Sequence, residues 1–143
     1  MKRYDYIVIG GGSGGIASAN RAGMHGASVL LIEGNELGGT CVNVGCVPKK
    51  VMWSASQLRE NILLDAESYG FDVTIDSFDF AKLVANRQAY IKRLNGLYES
   101  GLESNGVTYV KGYGKFVAED VVEVNGQHYT APHILIATGG QAN

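Results

Sequence analysis

The chain has 143 residues, a length that suits one domain with a sizeable core of its own. Its formal net charge is -2 and charges of both signs are scattered along it, which excludes the basic face of a nucleic-acid-binding protein. No apolar stretch approaches the roughly 20 residues of a membrane span. The N-terminus also lacks the apolar region of a secretory signal, so we expect a cytoplasmic protein with no membrane or nucleic-acid partner.

The first predicted elements make a βαβ unit. Residues 4–9 are rich in Tyr, Ile and Val and predict a buried strand, and a glycine cluster follows them. A small, helix-compatible segment over residues 14–26 leads to a second apolar run over residues 29–33. Strand, glycine turn, helix and strand within about 30 residues predict a crossover connection and therefore a parallel sheet.

Two helices and several short strands are predicted in the rest of the chain. The helices cover residues 47–64 and 78–103, where apolar side chains recur at helical spacing, and a loop over residues 69–77 joins them. Asn125-Gly126 is a strong hairpin signal. The predicted strands cover residues 107–110, 114–118, 121–124, 128–130 and 134–137. We therefore predict one α/β domain with a parallel sheet, a helical insertion, a small β-meander from residue 107 to residue 130, and a last strand in the main sheet.

Glycines at the end of the first strand match the dinucleotide-binding pattern G-x-G-x-x-G, at Gly10, Gly12 and Gly15. The first glycine permits a tight turn, the second lets backbone approach a pyrophosphate, and the third lets helix and strand pack closely. The helix N-terminus then offers free N–H groups to the phosphates. Glu33 ends the next strand, where a carboxylate accepts hydrogen bonds from a ribose and repels a 2′-phosphate. The pattern predicts a Rossmann-like site for FAD or NAD rather than NADP, and a packed turn beside a surface glutamate is the alternative.

Cys41 and Cys46 are the only cysteines, in the stretch GGTCVNVGCVPKK. Structural zinc needs four Cys or His ligands, and the three histidines form no partner motif, so we expect no metal. The glycine, proline and lysine neighbours argue against a buried pair of structural thiols. Five residues span about 16 Å in a strand and rise about 7.5 Å in a helix, whereas a disulfide needs Cα atoms within about 7 Å. The segment must therefore curl irregularly if the cysteines bridge, and Gly45 makes that curl feasible.

The predicted helix that begins near Cys46 favours a thiolate, because its N-terminal dipole is joined by Lys49 and Lys50. A dithiol close to an FAD-binding loop indicates electron transfer between a flavin and a disulfide.

The motifs GGGSGG and GGTCVNVGCVPKKVMW, with the glutamate between them, resemble the N-terminal part of the flavin-dependent pyridine nucleotide-disulfide oxidoreductases. The likeness covers residues 4–140, and CVNVGC is its most specific part. The segments VPKKVMW, RLNGLYES and APHILIATGG look most like members that reduce glutathione disulfide with NADPH. Relatives acting on trypanothione, dihydrolipoamide or mercuric ion are the alternatives within the family, and a non-catalytic dinucleotide-binding fragment is the alternative outside it.

The resemblance implies a role for each matching residue. Cys41 corresponds to the thiol that attacks the substrate disulfide, Cys46 to the thiol that faces the flavin, and Lys49 to a side chain that tunes the flavin potential. The substrate groove is implied to involve Ser13, Asn20 and Tyr98, although some members carry an arginine in place of Asn20 and a core tyrosine is the alternative for Tyr98. The implied contacts of FAD are Gly10, Gly12, Ser13, Gly14, Gly15, Glu33, Gly39, Thr40, Cys41, Lys49, Gly114, Thr138 and Gly139.

The resemblance also implies that residues 1–143 are a truncated FAD-binding domain that carries the redox-active disulfide. Family members add an NADPH-binding domain and a dimerisation domain, and a His–Glu pair of the latter acts as acid and base across a homodimer interface. None of the three histidines of this chain lies in such a motif, so we expect this portion alone to be inactive.

Overall fold

The computed structural model describes residues 1–143, which form two four-stranded sheets and four α-helices. The helices are α1 (Ser13–Met24), α2 (Gly39–Asn43), α3 (Cys46–Glu60) and α4 (Phe80–Ser104), and α3 continues through a π-helical turn (Asn61–Asp65) and a 3₁₀ turn (Ala66–Tyr69). The strands are β1 (Lys2–Arg3), β2 (Tyr6–Ile9), β3 (Val29–Glu33), β4 (Val107–Lys111), β5 (Lys115–Ala118), β6 (Val121–Val124), β7 (Gln127–Thr130) and β8 (His133–Ile136). None of the helices combines the length and the apolar character needed to cross a bilayer.

The main sheet is entirely parallel, with the order β4-β3-β2-β8. Successive side chains of a strand point to opposite faces. Ile7 and Leu30 accordingly belong to one core cluster, and Val8 and Leu31 belong to another. All four are fully buried. Burial on both faces explains why β2 and β3 are continuous apolar runs with no alternation of polar residues.

The second sheet covers one face of the main sheet. Its order is β1-β7-β6-β5, in which β5, β6 and β7 form an antiparallel meander and β1 joins β7 in parallel. Val124 pairs with Gln127 across Asn125 and Gly126, whose φ values are 51° and 76°. Positive φ at both central residues is the geometry of the type I′ turn that Asn-Gly favours, so the predicted hairpin is confirmed.

Helices α1 and α4 cover the other face of the main sheet. Ile16 and Ala19 of α1 and Leu102 of α4 join the cluster around Val8. In contrast, α3 has no buried residue and lies outside both core clusters. The fold is therefore a layered core with α3 attached at its edge, next to the glycine loop.

The connectivity of the main sheet opens a crevice at one end of the strands. The chain leaves β2 through α1 and returns to β3 on one side of it, whereas β8 pairs on the other side. The strand order thus reverses at β2. Open α/β sheets bind ligands beyond the carboxyl ends of the strands at such a reversal.

The structure confirms the α/β class, the parallel sheet and the bounds of β3. One prediction is wrong: residues 107–110 lie in the main sheet, paired in parallel with β3, and not in the meander. A short apolar strand has the same sequence pattern in either sheet, so only its pairing with other strands shows which sheet it joins. Strand β1 and helix α2 were not predicted, because two and five residues are too short to display a period.

We expect Gly15→Ala to destabilise the fold, because a Cβ at this position would overlap the carbonyl oxygen of Gly10. Overpacking of this kind costs about 1–3 kcal/mol or more. Gly96→Ala in α4 is the matched control, since a Cβ there meets no atom within 4 Å. Removing a glycine from a helix interior should stabilise the protein by about 0.5–1 kcal/mol. Urea unfolding followed by circular dichroism measures both changes, and equal stabilities for the two variants would contradict the close contact.

Candidate functional site

A cleft of about 1160 Å³ lies beyond the carboxyl ends of β2, β3 and β8. This exceeds the roughly 300–1,000 Å³ of common small-molecule pockets, so a dinucleotide has room. The cleft is lined by the glycine loop, the loop after β3, the α2–α3 segment and the residues after β8. The predicted site residues among them are Gly12, Ser13, Gly14, Glu33, Gly39, Thr40, Cys41, Cys46, Thr138 and Gly139.

The glycines of the loop after β2 divide into two groups by what surrounds them. Gly10 has φ +115°, and a Cβ on Gly10 or on Gly15 would overlap backbone atoms of the protein itself. A Cβ on Gly12 would meet only the Cα of Gly39, at 3.7 Å, and one on Gly14 would meet nothing within 4 Å. Gly10 and Gly15 therefore serve the turn and the packing of α1. Gly12 and Gly14 line the cleft and leave space there that the fold itself does not use.

The N-terminus of α1 lies at this cleft without a cap. No side chain accepts a hydrogen bond from its first turn, and the first turn contains no acidic residue. The first N–H groups of a helix have no partner within the helix, and they carry a partial positive charge. Because Ser13 and Gly14 line the cleft, these donors are available to an anionic group.

Glu33 joins the glycine loop to the loop that follows β3. Its Oε2 accepts a hydrogen bond from the backbone N–H of Gly11 at 2.7 Å, and its Oε1 accepts one from that of Asn35 at 2.7 Å. A carboxylate oxygen can accept a further hydrogen bond. The ribose contact of Glu33 stays a prediction, and it is compatible with these two bonds.

Asn35 and Glu36 line the same end of the cleft, and the sequence analysis missed both. Tyr113 Oη donates to Asn35 Oδ1 at 3.0 Å, and Lys111 Nζ donates to Glu36 Oε1 at 3.0 Å. Their position directly after a strand of a parallel sheet was the signal that could have identified them. Gly114, a predicted cofactor contact, follows Tyr113 but does not line the cleft.

The two cysteines come from consecutive short helices. Helix α2 ends at Asn43 and α3 begins at Cys46, so the chain changes direction within two residues. A Cβ on Gly45 would lie 3.0 Å from the carbonyl oxygen of Thr40 and 3.5 Å from the Cα of Cys41. The segment therefore curls at Gly45, the residue where the sequence allowed it.

Both cysteines are free thiols, and Cys41 is half-buried while Cys46 is exposed. A hydrogen bond to Cys46 is the main reason that the pKa of Cys41 is raised, and partial loss of solvent and the charge of Cys46 act in the same direction. A hydrogen bond from the backbone of Cys46 and the charge of Lys49 oppose the shift. The net effect of Cys46 is to favour the protonated form of Cys41. A disulfide between them stays a prediction.

Two asparagines that the sequence analysis missed fasten the cysteine segment to α4. Asn95 Nδ2 donates to the carbonyl oxygen of Leu37 at 2.7 Å and to Asn43 Oδ1 at 3.0 Å. Asn43 Nδ2 donates in turn to the carbonyl oxygens of Gly39 at 2.9 Å and Leu37 at 3.3 Å. No motif links residues 52 positions apart, so only the fold could reveal this network.

Besides Gly10, Gly15 and Gly114, three predicted residues lie outside the cleft lining. Lys49 lines a neighbouring groove of about 680 Å³ between α3 and α4, which shares Cys46 with the cleft. Asn20 Oδ1 accepts a hydrogen bond from Asn105 Nδ2 at 3.0 Å. Tyr98 packs on the core cluster beneath α1 and α4, and its place in the substrate groove stays a prediction. None of the histidines lines the cleft.

The chemistry of the cleft matches what FAD requires. A diphosphate needs backbone donors and close approach, which the uncapped α1 and the unobstructed Gly12 and Gly14 offer. Glu33 supplies an acceptor in the same cleft, and the thiols of Cys41 and Cys46 line another part of it.

Comparison with known proteins agrees with this arrangement. The family profile described as pyridine nucleotide-disulphide oxidoreductase matches residues 4–143. The chain is 53% identical over 155 residues to the glutathione reductase of Yarrowia lipolytica, covering 99% of this chain and 33% of that protein. It is 49% identical over 147 residues to the glutathione reductase of Schizosaccharomyces pombe, covering 97% of this chain and 32% of that protein. The chain therefore spans about a third of the length of the curated relatives it matches.

We expect Cys46→Ala to lower the raised pKa of Cys41 toward that of an ordinary thiol, because the hydrogen bond to Cys46 is its largest cause. The thiolate is the reactive form, so alkylation of Cys41 at a given pH should become faster. The rate of iodoacetamide alkylation, measured against pH with mass-spectrometric assignment, gives the midpoint. A midpoint that is unchanged or displaced to higher pH would show that Cys46 does not hold the proton on Cys41.

Proposed function

Because the chain belongs to the pyridine nucleotide-disulphide oxidoreductase family, we propose that it is the FAD-binding, dithiol-carrying N-terminal portion of a glutathione reductase. The observation that carries this proposal is one cleft lined both by the uncapped N-terminus of α1 and by two neighbouring thiols. The identity of about 50% to two glutathione reductases supports the choice of substrate.

The residues proposed to hold FAD follow from the donors and acceptors of the cleft. The first turn of α1, with Gly12 and Gly14, binds the diphosphate, and Glu33 accepts hydrogen bonds from the ribose. Gly39, Thr40, Thr138 and Gly139 line the remainder of the cofactor site. FAD supplies the two-electron carrier between NADPH and the cysteine pair when it is bound. Lys49, in the adjoining groove, is proposed to act on the flavin potential.

The cysteine pair is proposed to carry out the disulfide exchange. The Cys41–Cys46 disulfide accepts two electrons and two protons and becomes a dithiol. Cys41 loses its proton, and its sulfur attacks glutathione disulfide, which forms a mixed disulfide and releases one glutathione thiolate that takes up a proton. Cys46 then loses its proton and attacks the Cys41 sulfur, which releases the second glutathione and restores the protein disulfide.

The hydrogen bond between the thiols places a requirement on this cycle. Cys46 raises the pKa of Cys41 and so favours the protonated thiol, and a base must remove that proton before Cys41 attacks. No histidine lines the cleft. We therefore assign the acid–base pair, the NADPH site and the homodimer contacts to parts of a longer protein, and residues 1–143 to an incomplete FAD domain. We propose that the protein acts in the cytoplasm, where thiols stay reduced.

The FAD site can be tested on the chain itself. We expect weak, reversible FAD binding, because the cofactor meets only part of its full set of contacts. Gly12→Ala should lower the affinity about tenfold or more, since a Cβ displaces charge-assisted hydrogen bonds worth about 1.5–3 kcal/mol each. Gly101→Ala in α4 should leave it unchanged, because Gly101 does not line the cleft and an added Cβ there meets no atom within 4 Å. Quenching of flavin fluorescence measures the FAD affinity of both variants. Equal affinities would contradict the assignment of Gly12 to the diphosphate site.

A second experiment tests which of the two thiols attacks glutathione disulfide. Reduced Cys46→Ser protein should react with glutathione disulfide and stop at a stable mixed disulfide on Cys41, because no second thiol remains to displace it. Wild-type protein should instead release two glutathione molecules per chain and form an internal disulfide. Intact-mass measurement with peptide mapping distinguishes these products. Faster glutathionylation of Cys46 in Cys41→Ser protein than of Cys41 in Cys46→Ser protein would mean that the two roles are exchanged.

A further inference from the structure

We propose that Asn95 is a positioning residue that holds helix α2 against α4 and thereby keeps Cys41 next to Cys46 in the cleft that both residues line. The inference rests on the proposed function to the extent that it treats the two thiols as a redox pair. The inference gives Asn95, a half-buried residue that is far from the cysteines in sequence, an influence on the chemistry of Cys41 and Cys46.

The first step of the argument is that α2 cannot hold its own position. It has five residues, no side-chain cap and one buried residue, Val42. Isolated helices shorter than about 12–15 residues are marginal in water, so a helix of this length depends on tertiary contacts. Cys41 lies in the middle of α2 and therefore takes its position from whatever fastens that helix.

The second step is that Asn95 fastens α2 at both of its ends. Its Nδ2 has two protons, one for the carbonyl oxygen of Leu37, just before α2, and one for Asn43 Oδ1 at the end of α2. Asn43 Nδ2 donates in turn to the carbonyl oxygens of Gly39 and Leu37. The four bonds form a closed network in a part-buried site. Removing Asn95 deletes the two that reach α4 and leaves partly buried acceptors short of donors.

The third step connects the network to the thiols. Cys41 lies between Gly39 and Asn43, which are the two residues of α2 that the network binds. Cys46 starts the separate helix α3, whose position does not depend on Asn95 through any hydrogen bond of this network. A displacement of α2 therefore changes the distance between the two sulfurs. Cys46 and Lys49, both on α3, are the titratable groups that act on Cys41, so the titration of Cys41 reports that distance.

The test uses the 143-residue chain without FAD or glutathione, so its failure is separate from failure of the proposed function. In Asn95→Ala the alkylation midpoint of Cys41 should move to lower pH, because α2 moves away from Cys46, which is the largest cause of the raised pKa of Cys41. The equilibrium constant for forming the Cys41–Cys46 disulfide in dithiothreitol buffers should fall about three- to tenfold, as expected for losing two hydrogen bonds that preorganise the pair.

Asn105→Ala is the matched control. Asn105 is also half-buried at the end of α4, and its Nδ2 makes one side-chain hydrogen bond, to Asn20 at 3.0 Å, away from the cysteines. This variant should lose stability but keep the wild-type alkylation midpoint and disulfide equilibrium. Asn95→Ser, which retains a donor, should fall between wild type and Asn95→Ala, and it provides the measurement if Asn95→Ala does not fold.

Two results would overturn the proposal. One is an alkylation midpoint and disulfide equilibrium in the Asn95 variants equal to those of wild type. The other is an equal change in the Asn105 and Asn95 variants, which would mean that general loosening of α4 is responsible. A change confined to the Asn95 variants supports a positioning role, because a merely structural residue would alter unfolding and leave the titration of Cys41 alone.

Discussion

The close approach of α1 to β2 is the contact on which the site depends. The carbonyl oxygen of Gly10 occupies the space that a Cβ of Gly15 would need, so the helix begins immediately at the carboxyl end of the central strand. This brings the unpaired N–H groups of the first turn to the point where the strand order reverses. A larger residue at Gly15 would tilt or lift the helix, and the donors would no longer face the cleft. The proposed anion site is thus a consequence of backbone packing, because its donors are the uncapped N–H groups of the first turn of α1.

The cysteine segment places two thiols next to each other and leaves both of them at least partly exposed. A single regular helix or strand separates residues five apart too widely, so two helices meet at Gly45. The cost is that α2 is too short to be stable alone. Its position comes from Val42 in the core and from the asparagine network with α4. The same arrangement places Cys41 next to Cys46, which raises the pKa of the Cys41 thiol.

The carboxylate of Glu33 shows how a predicted ligand contact can also be a structural one. It binds the backbone of the glycine loop and of the loop after β3, and it faces the cleft at the same time. Two backbone donors orient the carboxylate, and a ligand hydroxyl would then meet an acceptor whose position is already fixed. The neighbouring Asn35 and Glu36 are held in turn by Tyr113 and Lys111 on the strand side. This end of the cleft is therefore held by two side chains, Tyr113 and Lys111, that do not themselves line it.

Local patterns determined a large part of this protein. The apolar runs of β2 and β3, the glycines between them and the hairpin at Asn125-Gly126 each encode a backbone geometry within a few residues, and each was predicted from the sequence. The gathering of the glycine loop, Glu33, the cysteines and residues 138–139 into one cleft followed from the parallel topology and the family likeness. Tertiary pairing alone decided that β4 belongs to the main sheet, that Tyr98 packs on the core, and that Asn95 binds Asn43. These features join segments that are far apart in the chain, and a residue's own neighbours in sequence carry no signal for a contact that forms only when the layers pack.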